Sequence, residues 1–287
     1  MLKTLTDSTL YLPDDPATDR PLLAAILGRE AVLMIDAGAS PAHAKLFLDG
    51  LKAATGRTPT WVVLTHWHWD HSFGLSYFTV PAIGHKNIAP HLSRLSGLAW
   101  DDDALQARVQ GGEEIEFCAE HLRKEYGATR DIQICFPNLY FERLLILDLG
   151  DITCELHWIP TDHSDDSVAI YIREERTLFL GDALGPNLYA PAPYYSAEMV
   201  RRLMARIRAF PVDWYVEGHS APARPEQFWK ENRILEVVAT LIQGGVTQRS
   251  TLLRAIEKQT DLPLPADYVE LLGLFLASMA QPHTIQP

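Results

Sequence analysis

The chain has 287 residues, of which 47% are hydrophobic and 22% charged, a composition typical of a globular protein of one or two domains. Its formal net charge of −12 argues against a nucleic-acid partner. The best apolar run, residues 22–27, is too short for a membrane span, and residues 1–15 lack the apolar core of a secretion signal. The three cysteines form no CxxC motif. We therefore expect a reduced, cytoplasmic protein.

Hydrophobic periodicity and turn residues predict alternating strands and helices along the chain. In chain order, these are strands at 22–27 and 31–35, a helix at 41–54, strands at 61–65 and 79–84, mainly helix over 86–126, strands at 144–149, 152–159, 168–173 and 176–180, a helix at 196–209, a short strand ending near Gly218, and helices at about 225–242, 248–258 and 266–280. This pattern predicts packed sheets with helices outside them.

The segment THWHWDH, residues 65–71, places three histidines and one aspartate within six positions, directly after a predicted strand. His66 and His68 would share one face of an extended segment, because side chains alternate along a strand. Two imidazoles on one face can begin a zinc site, and Asp70 and His71 could serve a second ion. Taken alone, the segment could also be a histidine-rich surface loop.

Three more residues of metal-ligand type follow later predicted strands. His163 comes after the strand at 152–159, Asp182 after the strand at 176–180, and His219 after the short strand near Gly218. If the fold is a layered sandwich, these strand ends lie along a common edge. The sequence therefore predicts that seven side chains converge there: His66, His68, Asp70, His71, His163, Asp182 and His219.

Five segments, in the same order, resemble motifs of the metallo-β-lactamase superfamily. They are MIDAG (34–38), THWHWDH (65–71), DHSDDS (162–167), FLGDAL (179–184) and EGHS (217–220), within about residues 20–225. The resemblance implies an α+β fold, a four-layer αββα sandwich with a metal site at one edge of its two sheets.

The resemblance also implies a ligand set. It assigns His66, His68 and His163 to a first metal ion. It assigns Asp70, His71 and His219 to a second ion, with Asp182 bridging the two. Nitrogen and carboxylate ligands without thiolate suit Zn²⁺, two ions per chain, although iron and manganese are compatible with them.

The function that the resemblance implies is a metal-dependent hydrolase. Two zinc ions would activate a water molecule for attack on a small ester, thioester, lactone or amide, with Asp70 as the catalytic residue that orients the water and takes its proton. The alternatives are a mononuclear iron sulfur dioxygenase of the same superfamily and a noncatalytic metal-binding protein. We expect a small-molecule substrate as the partner, with no nucleic acid and no membrane.

Several assignments beyond the ligands stay open at this point. We expect a catalytic domain over 1–225, with a helical cap inserted at about 86–145, and a helical extension over 226–287 packed on the same domain. That extension could instead form a homodimer contact. Asp36 could orient the metal loop or cap a turn. Asp165 and Asp166 could build a turn or could place negative charge beside the metals, which would disfavour anionic substrates. Tyr189, Tyr194 and Tyr195 could form the wall of the substrate pocket or pack under the cap.

Overall fold

The computed structural model describes residues 1–128, 130–260 and 266–279. Its strands are β1 (Lys3–Thr4), β2 (Thr9–Leu12), β3 (Leu23–Leu27), β4 (Val32–Ile35), β5 (Trp61–Val63), β6 (Ala82–His85), β7 (Leu139–Phe141), β8 (Leu144–Asp148), β9 (Thr153–Trp158), β10 (Val168–Ile172), β11 (Thr177–Gly181) and β12 (Trp214–Glu217). Its helices are α1 (Pro41–Thr55), α2 (Trp69–Ser72), α3 (Ile88–Ser96), α4 (Asp102–Gly111), α5 (Glu116–Tyr126), α6 (Ala197–Arg208), α7 (Pro225–Glu231), α8 (Arg233–Gln243), α9 (Arg249–Thr260) and α10 (Ala266–Met279).

The chain divides into two units. The first comprises residues 1–160, 164–183 and 212–223, and therefore contains all the strands named above together with α1 to α5. The second comprises residues 161–163 and 184–211 and the described residues from 224 onward, and therefore contains α6 to α10. The domain boundary at residue 225 stays a prediction.

Two mixed sheets form the first unit. Within the described residues, one sheet has seven strands in the order β1-β2-β3-β4-β5-β6-β7, and the other has five in the order β12-β11-β10-β9-β8. Pairing is antiparallel from β1 to β4 and parallel from β4 to β7. In the second sheet only β11 and β12 pair in parallel. Parallel neighbours bring the carboxyl ends of β4, β5 and β6 to one edge, as they do those of β11 and β12.

The core of the first unit lies between the inward faces of these sheets. One buried cluster joins Ile26, Leu33 and Val63 of the first sheet to Leu156 and Ile170 of the second. Side chains alternate across a strand, so every second residue of β3, β4 and β10 belongs to this cluster and the residues between them lie on the other face of their sheet. Burying this apolar surface is the main force that holds the two sheets together.

Local sequence signals account for the ends of the helices. Ser40 caps α1 by accepting a hydrogen bond from the His43 backbone N–H at 3.0 Å, and Gly56 ends the helix at a φ of 70°. The acidic triplet at 101–103 starts a helix as predicted, because Asp101 accepts from the Ala104 backbone N–H at 2.9 Å.

The second unit is helical within its described part. Arg208 of α6 makes two hydrogen bonds to Glu236 of α8, at 2.5 and 2.8 Å, and its guanidinium lies 4.0 Å over the Trp229 ring. The helix predicted at 225–242 is two helices that meet at Asn232. The last predicted helix runs to Met279, and residue 280 lies outside the described residues. Among the described residues, no helix combines the length and apolarity needed to cross a membrane.

Candidate metal centre

Strand pairing places the later ligand candidates of the first unit beside the metal loop, residues 65–72. Asp182 follows β11 directly and His219 follows β12 after one residue. The Gly218 N–H donates to the Gly181 carbonyl at 2.9 Å, so the two strand ends stay in register. The Val168 N–H donates to the Thr65 carbonyl at 2.8 Å and joins the start of β10 to the same loop.

The metal loop itself is a tight turn that leads into α2. The His68 carbonyl accepts from the backbone N–H groups of His71 and Ser72 at 3.1 and 3.0 Å. The Ser72 hydroxyl donates to the carbonyls of Trp67 and His68 at 2.8 and 2.9 Å. These bonds hold the buried imidazoles together: the His66 ring centroid lies 4.5 Å from that of His68 and 4.3 Å from that of His71.

Four side chains of the first unit form one cluster: Asp70, His71, Asp182 and His219. Each offers a ligand atom within 4.8 Å of the others. The Nε2 atoms of His71 and His219 both lie 3.1 Å from Asp70 Oδ2. Asp182 shares its oxygens between the same imidazoles, with Oδ1 at 3.4 Å from His71 Nε2 and Oδ2 at 3.4 Å from His219 Nε2.

The charges in this cluster depend on one another. Burial alone would raise the pKa of Asp70 and of Asp182, yet the neighbouring His71 and His219 hold both pKa values well below their usual range. Burial opposes charge on His219, but Asp182 and Asp70 raise its pKa to about 11. Two carboxylates so close together and so buried need positive charge between them, which protons on the imidazoles or a metal cation can supply.

Asp36 orients the cluster from behind. It follows β4 directly, has a φ of 60° and is 2% exposed. Its carboxylate accepts from the Thr65 backbone N–H at 2.7 Å and from the Thr65 hydroxyl at 2.9 Å. Asp36 Oδ2 also lies 2.8 Å from His71 Nδ1. A carboxylate on that side favours a proton on Nδ1 and leaves Nε2, which faces Asp70 and Asp182, as the ring atom that can bind a metal ion. The donor set therefore fits a divalent cation.

Gly218 shows why the residue before His219 has to be small. A Cβ atom at this position would lie 2.2 Å from Asp182 Oδ1 and 3.0 Å from His71 Cε1. The backbone of the β12 end therefore approaches the cluster more closely than any side chain would allow. The signal in the sequence that points to this glycine is its place directly before a ligand candidate.

The prediction for the first metal ion has two of its three residues in the first unit, His66 and His68. His163 belongs to the tripeptide 161–163 of the second unit. There, the Asp162 carboxylate accepts from the Ser196 N–H at 2.8 Å, and His163 Nδ1 lies 3.2 Å from the Pro186 carbonyl oxygen. That His66, His68 and His163 share one ion stays a prediction.

The tryptophans of the metal loop are packing residues. Trp67 and Trp69 are 5% and 4% exposed. Trp67 packs edge to face on His68, with ring centroids 4.4 Å apart, and stacks on His91 of α3 at 4.9 Å. His91 Nε2 in turn lies 2.7 Å from Asp165 Oδ1. Asp165 thus anchors the helix that supports the metal loop.

Asp166 and Tyr195 also have structural contacts. Asp166 is buried, its carboxylate accepts a hydrogen bond from the Ser164 hydroxyl, and burial raises its pKa to about 7. Tyr195 is buried in the second unit, where its hydroxyl donates to the Leu184 carbonyl at 2.8 Å and its ring stacks on Phe275. These contacts favour the packing role for Tyr195.

One charged neighbour of the cluster had no signal in the sequence. Asp19, in the loop between β2 and β3, lies 3.6 Å from His219 Nδ1 through its Oδ1 atom. Burial and the nearby Asp70 raise the pKa of Asp19 to about 6. No strand motif leads to this residue, and it precedes the first family-like segment, so only the structure brings it to the site.

Comparisons with known proteins agree with this geometry. A family model described as metallo-beta-lactamase superfamily matches residues 22–219. The chain is 28% identical over 171 residues to the acyl-coenzyme A thioesterase MBLAC2 of Gallus gallus, a stretch that is 55% of this chain and 56% of that protein. The chain thus matches little more than half the length of that curated relative.

Solved structures show the same fold at low identity. The metallo-beta-lactamase from Pontibacter korlensis has a TM-score of 0.55 and 15% identity, over 79% of this chain and 94% of that chain. The stereoselective inverting sec-alkylsulfatase Pisa1 from Pseudomonas sp. has a TM-score of 0.60 and 16% identity, over 93% of this chain and 46% of that chain. The predicted α+β fold of the superfamily is confirmed.

Proposed function

Since the chain belongs to the metallo-β-lactamase superfamily, we propose that it is a hydrolase with two zinc ions that cleaves a small thioester or a related ester. The observation that carries the proposal is the cluster of Asp70, His71, Asp182 and His219, whose ligand atoms lie within 4.8 Å of one another. The superfamily match makes hydrolysis the expected chemistry. The likeness to an acyl-coenzyme A thioesterase supports a thioester as the first substrate class to test, ahead of lactones and amides.

The ligands divide into two sets in this proposal. Asp70, His71 and His219 would hold one ion, His66, His68 and His163 would hold the other, and Asp182 would serve both. Imidazole and carboxylate ligands without thiolate suit zinc. When bound, the two ions would lower the pKa of a water molecule and polarise the substrate carbonyl.

In this proposal, Asp70 accepts the proton that the attacking water molecule loses. In the metal-free protein, His71 and His219 hold the pKa of Asp70 well below the usual range against the effect of burial, and a bound cation would favour the ionised carboxylate in the same way. In hydrolysis, a water oxygen bonds to the acyl carbon and the carbon–sulfur bond breaks. The proton that the water loses passes to Asp70 and then to the departing thiolate.

Metal analysis combined with a substrate panel tests the proposal. Protein purified without added metal is expected to contain about two zinc ions per chain and to hydrolyse short thioesters. His66→Ala and Asp182→Ala should lose metal and activity together. Asp70→Asn should lose activity even where metal is restored by excess zinc.

His157→Ala is the matched control, because it removes a histidine that belongs to neither proposed ligand set. His157 lies on β9 and pairs with Glu155 at 2.9 Å. The metal content and activity of this variant should match those of the unmodified protein. About one iron per chain, or full zinc content with no turnover on thioesters, oxygen esters, lactones or amides, would contradict the proposal.

A further inference from the structure

The loop between β2 and β3 brings a carboxylate to the outer side of His219. Asp19 Oδ1 lies 3.6 Å from His219 Nδ1, while Nε2 on the opposite side of that ring faces Asp70 and Asp182. The Asp19 side chain is 19% exposed and that of His219 is 33% exposed, so solvent screens this pair only in part. Asp36 occupies the same side of His71, at the shorter distance of 2.8 Å from Nδ1, which is a hydrogen bond, whereas Asp19 and His219 form an ion pair.

The loop that carries Asp19 is closed by its own backbone. The Asp15 N–H donates to the Arg20 carbonyl at 2.9 Å, and the Arg20 N–H donates back at 3.2 Å. The Asp15 carboxylate also accepts from the Ala17 N–H and the Thr18 hydroxyl, each at 3.1 Å. These bonds fix the course of the chain on the amino-terminal side of Asp19.

On the other side, Arg20 anchors the loop to α5. Its guanidinium makes two hydrogen bonds to Glu125, both 2.9 Å long, and the Glu125 side chain is 1% exposed. A bidentate pair of this kind restricts both side chains. Arg20 is thereby occupied by Glu125, and Asp19 is held facing His219.

The backbone at Asp19 has a left-handed conformation, with a φ of 57°. Glycine adopts this region without strain, and aspartate is among the few other residues that tolerate it. A turn alone would accept glycine. The aspartate adds a carboxylate beside the imidazole of His219.

We infer that Asp19 is a positioning residue that holds His219 with its Nε2 atom turned toward Asp70 and Asp182. The inference rests on the proposed metal centre and extends it, because Asp19 lies outside residues 22–219, the segment that matches the family. Through Arg20 and Glu125, the orientation of one ligand then depends on α5, a helix of the insertion between β6 and β7.

Two substitutions separate the carboxylate from the turn. Asp19→Gly removes the carboxylate and suits the positive φ, and Asp19→Asn keeps the shape and a hydrogen-bond acceptor but removes the charge. Asp14→Asn, in the same loop, is the matched control. Zinc binding to the metal-free proteins is measured by competition with a chromogenic chelator, and their stability by urea denaturation.

The expected result is that Asp19→Gly weakens the binding of one of the two zinc ions by about 10–100-fold and leaves the other unchanged. Asp19→Asn should lie between that variant and the unmodified protein, and Asp14→Asn should bind like the unmodified protein. The metal-free Asp19→Gly protein should be at least as stable as the unmodified one, which separates positioning from a merely structural role.

Equal affinity of Asp19→Gly and the unmodified protein for both ions would overturn this inference and leave the metal centre intact. Parallel loss of both ions together with stability would also overturn it, because Asp19 would then only support the fold. If the unmodified protein itself binds fewer than two zinc ions, the proposed metal centre fails and the inference fails with it.

Discussion

His43 gives a quantitative test of how the fold beneath the metal loop responds to pH. It lies in α1, is 1% exposed, and its Nδ1 atom accepts a hydrogen bond from the Ala39 N–H at 3.3 Å. The ring is therefore neutral, with its proton on Nε2. Burial, assisted by the nearby positive charge of Arg20, lowers the pKa of His43 from 6.5 to about 3.

The direction of the effect follows from proton binding in the two states. As the pH falls below 6.5, the unfolded chain takes up a proton at His43, whereas the native protein does not until the pH nears 3. The free energy of unfolding therefore decreases as the pH falls through this range. At about pH 5 the loss due to this one group amounts to about 2 kcal/mol.

His43→Asn isolates this contribution. The asparagine Oδ1 atom can take the place of Nδ1 as an acceptor, and the side chain does not titrate. Urea denaturation of both metal-free proteins, with chelator present, gives the free energy of unfolding at about pH 7.5 and about pH 5. The variant should lose about 2 kcal/mol less than the unmodified protein between these values, while all other titrating groups cancel in the comparison. Identical pH dependence of the two proteins would refute a neutral buried His43.

Three further substitutions test the contacts around the site. Asp36→Asn should weaken the binding of one zinc ion by about 10–100-fold in chelator competition, because a neutral amide orients and polarises the His71 ring less strongly than a carboxylate does, and unchanged affinity would contradict that role. Arg20→Gln leaves the buried Glu125 carboxylate without its guanidinium and should lower the free energy of unfolding by about 3 kcal/mol. Adding Glu125→Gln should recover part of that stability. A loss under about 0.5 kcal/mol in the single variant would argue against a stabilising ion pair between Arg20 and Glu125. Gly74→Ala should lower the free energy of unfolding by about 1–3 kcal/mol, because a Cβ atom there would lie 2.1 Å from a backbone carbonyl oxygen, and wild-type stability would show that the loop can relax.

The long elements were predictable because their periodicity is local. Helices α1 and α6 and strands β8 to β11 lie within two residues of their predicted bounds. The short elements β1, β2, β7 and α2 were missed. Each has only two to four residues, too few to show a period, and the three strands depend on neighbouring strands for their hydrogen bonds.

The candidate ligands could be named from sequence because their residue types are unusual where they occur. A histidine or an aspartate directly after a buried strand is seldom explained by packing, and parallel strands end at the same edge of a sheet. The structure brings Asp70, His71, Asp182 and His219 within 4.8 Å of one another. Zinc as the metal and a thioester as the substrate stay predictions.

The residues that orient these ligands could not be named in the same way. Asp36 was foreseen only as one of two alternatives, and its contacts with Thr65 and His71 settle its place behind the metal loop. Asp19 and the pair of Arg20 and Glu125 had no signal, because the pair joins positions 105 residues apart in the chain.

The sequence by itself determined the family and named the candidate ligands, because ligand atoms belong to residue types and residue types can be read in order. The tertiary structure alone decided which carboxylate lies beside the Nδ1 atom of which ligand imidazole, Asp36 at His71 and Asp19 at His219. That relation depends on how the chain returns to the same point in space, and the loop at Asp19 is brought to His219 by contacts with α5 that no local pattern specifies. The type of each ligand residue is given directly by the sequence, whereas the orientation of its side chain depends on packing between distant segments.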